Sequence, residues 1–206
     1  MNGNAYLLGK YIYILFFSIL IMYGKFLLAD AMIIDDMRNS NMHGEAEKAD
    51  FCETTSERWC FVSDKVMGGI SEGTFETVIE GKDAHYNMKG VVSTENNGGF
   101  LQFRTKINNH PKEKLFDGIR IQVRGNNEKY AVHIRTKYLF LPWQYYEATF
   151  TANDEWRVIE LPLKNFKKSN FYQPSMVSSV DIQTIGIVAI GRDFNADIDL
   201  RYIELY

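Results

Sequence analysis

Two stretches of this 206-residue chain carry residues that phosphate chemistry uses. "WCFVSDKVMGGISEG", Trp59 to Gly73, and "GVVSTENNGGFLQFR", Gly90 to Arg104, each hold a Gly-Gly pair among Asp, Lys, Ser or Asn. A glycine-rich loop cradles phosphate when it joins a strand to a helix N-terminus and sets Lys-Ser/Thr at a fixed offset. The order here is wrong for that. Lys65 precedes Gly68-Gly69, a strand-like run follows them, and no lysine accompanies Gly98-Gly99. No βαβ pattern surrounds either pair, as dinucleotide binding would need. The glycines are therefore read as conformational, supplying positive φ or close backbone approach. Asn96-Asn97-Gly98-Gly99 is a turn sequence that feeds a strand.

Other reactive residue types form no catalytic set. His43, His85, His110 and His133 have no ligand spacing with Cys52 and Cys60, so zinc is not expected. The two cysteines could close a short loop as a disulfide in an oxidising compartment, or stay as thiols. There is no nucleophile elbow. Carboxylate pairs for glycoside hydrolysis could be drawn from too many Asp and Glu to mean anything. Asp64 could orient a ligand or a metal, but an Asx-type turn that caps nearby N–H groups is the preferred reading. Glu95, Asn96 and Asn97 are read the same way, as turn chemistry ahead of a polar recognition loop. Asp35 and Asp36 could meet Asp197, Asp199 or Glu204 if the first and last strands pair, and such a group could hold Ca²⁺. No other cofactor is expected.

The elements around these residues read as strands. Hydrophobic residues make up 46% of the chain, charged residues 24% and aromatics 14%, which suits a globular β protein. A net charge of -3 offers no reason to expect nucleic acid as a partner. From Phe75 onward the hydrophobic period is two. "FLQFRTKI" sets Leu101 and Phe103 against Gln102 and Arg104. "GIRIQVRG" sets Ile119, Ile121 and Val123 against Arg120, Gln122 and Arg124. "KYAVHIRT" sets Tyr130, Val132 and Ile134 against Ala131, His133 and Arg135. Many short strands with turns between them predict an antiparallel sandwich. "LKNFKKSNF" alone looks helical, for a turn or two. If the strands neighbour one another, Gln102, Arg104, Arg120, Gln122, Arg124, His133 and Arg135 make one basic-polar surface. That surface is either a solvated outer face or a binding face for a sugar, an anionic group or a partner loop. Trp143 and Tyr145 share a strand face in this reading and could stack on a sugar ring. Trp59 is expected in the core or at its rim.

The N-terminus is separate. Lys10 precedes an uncharged apolar run from Tyr11 to Tyr23, and Ala29-Asp30-Ala31 follows as an A-x-A-like site. Residues 1–31 are predicted to be a secretory signal peptide, or an uncleaved membrane anchor, since Lys25 lies beyond the apolar run. Residues 32–206 are the folded domain, placed outside the cytoplasm or at a membrane. The first arginine is Arg38, and the leader is apolar rather than amphipathic, which does not fit a mitochondrial presequence.

The two glycine blocks also carry a resemblance. Trp59 followed by Val62-Ser63-Asp64-Lys65-Val66-Met67-Gly68-Gly69-Ile70-Ser71 resembles the signature of the complex I intermediate-associated protein 30 family. Gly90, Val91, Ser93, Glu95 to Phe100 and Arg104 resemble its second block, and the later strands follow in the expected order up to "IGIVAIGRDFNADIDLRYIELY". The likeness runs from about Ile34 to Tyr206. It implies a galactose-binding-like jelly roll of two antiparallel sheets, in which Trp59, Val66, Met67, Gly68, Gly69, Ser71, Gly98, Gly99 and Phe100 serve the motif structure. It also implies a non-enzymatic role, binding partly assembled subunits of NADH:ubiquinone oxidoreductase. The alternative is an extracytoplasmic carbohydrate-binding module with a glycan as partner.

Overall fold

The structure is a computed structural model and describes residues 31–38, 54–56, 58–107, 110–111 and 113–206. Met32–Tyr206 is a compact unit by its own contacts. The predicted leader, the polar stretch "NMHGEAEKAD" and Cys52 lie outside the described residues. Cys60 is disulfide-bonded.

Thirteen strands are present among the described residues. They are β1 (Met32–Asp36), β2 (Thr54–Ser56), β3 (Trp59–Ser63), β4 (Glu72–Glu80), β5 (Asp83–Val92), β6 (Phe100–Lys106), β7 (Gly118–Gly125), β8 (Glu128–Thr136), β9 (Tyr146–Ala152), β10 (Arg157–Pro162), β11 (Lys167–Lys168), β12 (Ile182–Ile190) and β13 (Phe194–Leu205). Two sheets result. One has the order β10-β7-β13-β5-β4, with β1 also on β13; the other has the order β11-β9-β8-β12-β6-β3-β2. Each pairing is antiparallel. This is the expected all-β sandwich of jelly-roll type. We call the sheet that contains β13 the first and the sheet that contains β12 the second.

The period-two pattern works as read. Ile119, Ile121 and Val123 of β7, Leu101 and Phe103 of β6, and Val132 and Ile134 of β8 all point into the space between the sheets and are buried. Aromatic rings bridge the sheets there. Trp59 and Phe103 come from the second sheet and Phe75 and Tyr86 from the first, with ring centroids 4.8 Å apart for Phe75–Phe103 and 5.9 Å for Trp59–Tyr86. Offset and edge contacts of this kind add to the burial of large apolar area. Three local features differ from the sequence reading or add to it. All five residues of β3 are buried, so "WCFVS" shows no alternation and does not read as a strand. "LKNFKKSNF" forms a 3-10 turn at Leu163–Asn165 and then β11, not a helix. β9 starts only at Tyr146, because Pro142 and the residues around it form a turn.

The two glycine blocks lie where the chain crosses between sheets. The 3-10 turn Asp64–Met67 leads from β3 of the second sheet to β4 of the first. The turn at Glu95–Asn97 leads back from β5 to β6. Asp64 joins them. Its carboxylate accepts from Ser71 N–H at 3.0 Å, Ser71 Oγ at 2.5 Å, Gly99 N–H at 2.5 Å and Phe100 N–H at 3.3 Å. Ser71 Oγ in turn accepts from Ser93 N–H at 3.0 Å. Within each pair the glycines divide two tasks. Gly68 and Gly99 have φ of 89° and 120°, which side chains resist. Gly69 and Gly98 pack so closely on Asp64 that a Cβ at either would overlap its carboxylate. A third crossover joins the same end, where Asp193 Oδ1 accepts from Thr94 N–H at 2.7 Å and Gly191 N–H donates to Gly99 O at 3.0 Å.

Asp64 is 0% exposed, its carboxylate facing the chain's own donors, and its reach is longer than the local turn expected of it. Replacing it with Ala would leave several buried donors without an acceptor, each costing roughly 1–3 kcal/mol. Asp64→Ala is expected to lower unfolding free energy by at least about 3 kcal/mol. Gly69→Val should also destabilise, by more than about 1 kcal/mol, through overpacking. Chemical denaturation of the purified variants checks both. Unfolding midpoints equal to the parent would remove Asp64 as the link between the crossovers.

Candidate functional site

The outer face of the second sheet gathers most of the predicted polar residues. Arg104 is level with Gly186, Gly186 with His133, and His133 with Glu147, across β6, β12, β8 and β9. One level on, Lys106 faces Thr184 and Thr184 faces Arg135; one level back, Gln102 faces Val188. Gly186 matters at the centre. A Cβ there would collide with the Gln102 amide, so the glycine lets that side chain lie across β12.

The charges on this face differ in kind. His133 Nε2 lies 3.0 Å from Glu147 Oε2, and its ring stacks on Tyr145 with centroids 3.8 Å apart. The hydrogen bond from His133 holds the Glu147 carboxyl below the usual carboxylate range, against the opposing pull of burial. Arg135 Nη1 donates to the carbonyls of Leu141, Pro142 and Gln144 at 3.0, 2.6 and 2.7 Å, so it fixes the β8–β9 turn. Arg104 makes no hydrogen bond or ion pair among the described residues. Burial alone lowers its pKa, and its charge adds to burial in lowering that of Arg135. A desolvated guanidinium is suited to a planar anionic or polyhydroxyl group. Beside Tyr145 and Glu147 the face dips into a depression of ≈ 260 Å³, which also touches Lys129, Ala131, Thr149 and Ile190.

The remaining candidates lie elsewhere. β7 belongs to the first sheet, so Arg120, Gln122 and Arg124 are on the opposite side of the sandwich from Arg104 and His133. The single basic surface is thereby corrected to two. Arg120 is held by Glu160 and Glu204. Arg124 is held by Asp199 at 2.8 Å and Glu80 at 3.2 Å, and lies over the Trp156 ring. Trp143 and Tyr145 precede β9 and share no strand face; Trp143 is exposed in the turn while Tyr145 covers His133. Asn96 and Asn97 are exposed turn residues with φ of 58° and 59°. Trp59 is in the core, its indole N–H donating to Asp35 at 2.7 Å.

β1 does pair with β13, yet the five carboxylates near it do not gather into one group, although Asp197 and Asp199 share the Asn87 amide at 3.0 and 2.7 Å. Asp35 takes Trp59, Asp36 takes Arg38, Asp197 takes Lys89, Asp199 takes Arg124, and Glu204 takes Arg120 and the Tyr202 hydroxyl. Among the described residues, no group of three His, Cys, Asp or Glu is placed to hold a metal ion.

Two groups of exposed apolar residues were not anticipated. Val66 and Met67, read above as structural, are 61% and 63% exposed on the 3-10 turn that Asp64 holds, with Ile70 and Val91 also exposed. At the other end, Phe140, Leu141, Trp143, Phe171, Tyr172 and Met176 face solvent. The sequence signal was "YLFLPWQY" and "NFYQPSM", apolar runs broken by proline and so unable to continue as strand.

A family model described as complex I intermediate-associated protein 30 matches residues 49–200. The chain belongs to that family. The match takes in both glycine blocks, the Asp64 link and every strand from β2 to β12. No curated sequence is significantly similar to this member. Solved structures similar to it include carbohydrate-binding modules of Clostridium thermocellum. The family 11 module in complex with a β-1,3-1,4-mixed-linked tetrasaccharide has a TM-score of 0.59 at 13% identity, covering 85% of this chain and 94% of its own. The family 11 module of the cellulase Lic26A-Cel5E has a TM-score of 0.57 at 14% identity, covering 79% and 95%. The family 30 module of Cel9D-Cel44B has 0.50 at 11%, covering 85% and 96%. At these identities the likeness concerns the fold.

Glu147 gives a pH prediction. Its folded-state pKa is depressed, so its contribution to stability is present above the unfolded value of about 4.3 and is lost as pH falls through the folded value. Stability of the parent is therefore expected to fall more steeply than that of Glu147→Gln over this acid range. Denaturation at stepped pH checks this, and parallel curves would contradict the pairing.

Proposed function

We propose that the chain is a non-catalytic binding protein of the assembly-factor kind, which holds partly assembled subunits of a membrane complex outside the cytoplasm or at a membrane. The observation that carries this reading is the state of Val66 and Met67. The rest of the first glycine block is accounted for by folding: Asp64, Gly69 and Ser71 form the buried link, and Gly68 supplies the turn. Val66 and Met67 are lifted into solvent by it, beside Ile70 and Val91. Exposed apolar patches of this sort mark interaction sites. A rigid mount lowers the ordering cost of binding, and methionine adapts to an irregular partner surface. Family membership points to protein subunits of complex I as the partner class.

Affinity capture of the tagged full chain from its native cells, with membranes solubilised in detergent, tests this. Respiratory-complex subunits are expected among the bound proteins. The double variant Val66→Ser/Met67→Ser should lose about tenfold or more of that recovery, with unchanged thermal melting. Full recovery with the variant would move the contact away from this turn. Absence of any such subunit with the parent would end the assembly reading.

One observation favours a second reading. Gln102 and Arg104 share the outer face of the second sheet with His133, on which Tyr145 stacks, and the fold resembles that of a module solved in complex with a tetrasaccharide. A glycan array decides it: a defined oligosaccharide signal that Arg104→Ala removes is expected if this face binds sugar, and a blank array eliminates it.

A further inference from the structure

We propose that the two loops at one end of the sandwich form a docking surface for an anionic lipid bilayer. The loops are 137–145, between β8 and β9, and 169–177, after β11. The register places them away from the Asp64 link. Arg135 is level with Lys106 at the far end of β6, whereas Phe100, beside the link, begins that strand. The surface is thus separate from Val66 and Met67, and the proposal does not rest on the assembly reading.

The first observation is composition against exposure. Phe140 is 86% exposed and Met176 85%, and Phe171, Tyr172, Trp143, Tyr138 and Leu141 are exposed as well. A soluble surface rarely leaves so many large apolar side chains together. The rings of Phe171 and Tyr172 are in contact, their centroids 3.7 Å apart.

The second is that the loops are braced, so the exposure is built in. Arg135 binds the carbonyls of Leu141, Pro142 and Gln144. Gln144 Oε1 accepts from Leu141 N–H at 3.1 Å. Ser169 and the buried Gln173 tie the loops to each other: Tyr145 N–H donates to Ser169 Oγ at 3.0 Å, and Gln173 Nε2 donates to Tyr145 O at 2.9 Å. Tyr146 OH donates to Pro174 O at 2.9 Å. The polar atoms face inward to each other, and the apolar rings face outward.

The third is charge. Segments 136–145 and 166–178 contain three lysines and no Asp or Glu, in a chain of net charge -3. Lys137 is paired with Asp181, while Lys168 Nζ donates to the carbonyls of Phe171 and Gln173 beside the rings. Lys167 is exposed next to it. Trp, Tyr and Phe at loop tips with lysine behind them fit the headgroup region, where amphipathic rings settle and basic groups meet anionic lipid. A protein partner would require matching polar groups for a rim; these tips offer rings and cations.

The test uses the full chain and vesicles of equal parts phosphatidylcholine and phosphatidylglycerol with brominated acyl chains, which quench tryptophans that enter the bilayer. Trp59 is buried in the core and Trp156 lies between Arg124 and Arg201, so the difference between the parent and Trp143→Phe isolates Trp143. Quenching of Trp143 is expected, stronger than on pure phosphatidylcholine and weakened by salt. Phe140→Ser/Phe171→Ser, at exposed positions that the fold does not use, should raise the lipid needed for half-quenching by at least about tenfold. Vesicle-bound protein with Trp143 unquenched would overturn the proposal and assign the attachment to another segment, such as the apolar N-terminus. No binding, or equal response to neutral vesicles, would overturn it too.

Discussion

The buried carboxylate of Asp64 is the constraint on which one end of this molecule depends. It comes from the first crossover and accepts hydrogen bonds from Ser71, Gly99 and Phe100, on both sides of the gap between the sheets. A buried charge is costly unless donors surround it, and here four hydrogen bonds do so. That demand explains the two glycine pairs together. The donors can reach the carboxylate only if the backbones of Gly69 and Gly98 come within a distance that no side chain permits. Gly68 and Gly99 then turn the chain into the adjoining strands with φ that other residues resist. What looked like two loops is one structure. It also fixes the exposed Val66–Met67 turn relative to the sandwich.

The two outer faces treat similar side chains differently. On the first sheet, arginines sit among carboxylates and aromatic rings. Arg124, Arg201 and His85 surround Trp156, with Glu80 and Asp199 among them. Burial lowers the pKa of His85, outweighing the two carboxylates that raise it. On the second sheet His133 and Glu147 satisfy each other and Arg135 serves a turn, while Arg104 is partly desolvated with no acceptor among the described residues.

At the opposite end the same logic works through neutral groups. Backbone carbonyls of the β8–β9 turn converge on Arg135, and Gln144, Ser169 and Gln173 satisfy the remaining polar atoms of the two loops. With those groups turned inward, the rings of Phe140, Trp143 and Phe171 are left to solvent.

Sequence alone determined which faces of β6, β7 and β8 point inward, because side chains alternate strictly along a strand and a slip of one residue would expose the core. It also determined that the glycine blocks are conformational, since their order cannot make a phosphate loop, and it carried the family resemblance. It did not reveal β3, whose five residues are all buried and do not alternate. Nor could it say that β7 and β8, adjacent in sequence and alike in pattern, enter different sheets. That choice separates Arg120 and Arg124 from Arg104 and His133, and gives the first two carboxylate partners more than 30 residues away. Tertiary structure likewise decided the role of Asp64. A side chain that could have capped its own turn instead reaches Gly99, 35 residues on, because only the packed sheets bring those donors together. Local patterns record which side of a strand must avoid water; which strands become neighbours depends on contacts distant in sequence, and so the composition of each face was settled by folding.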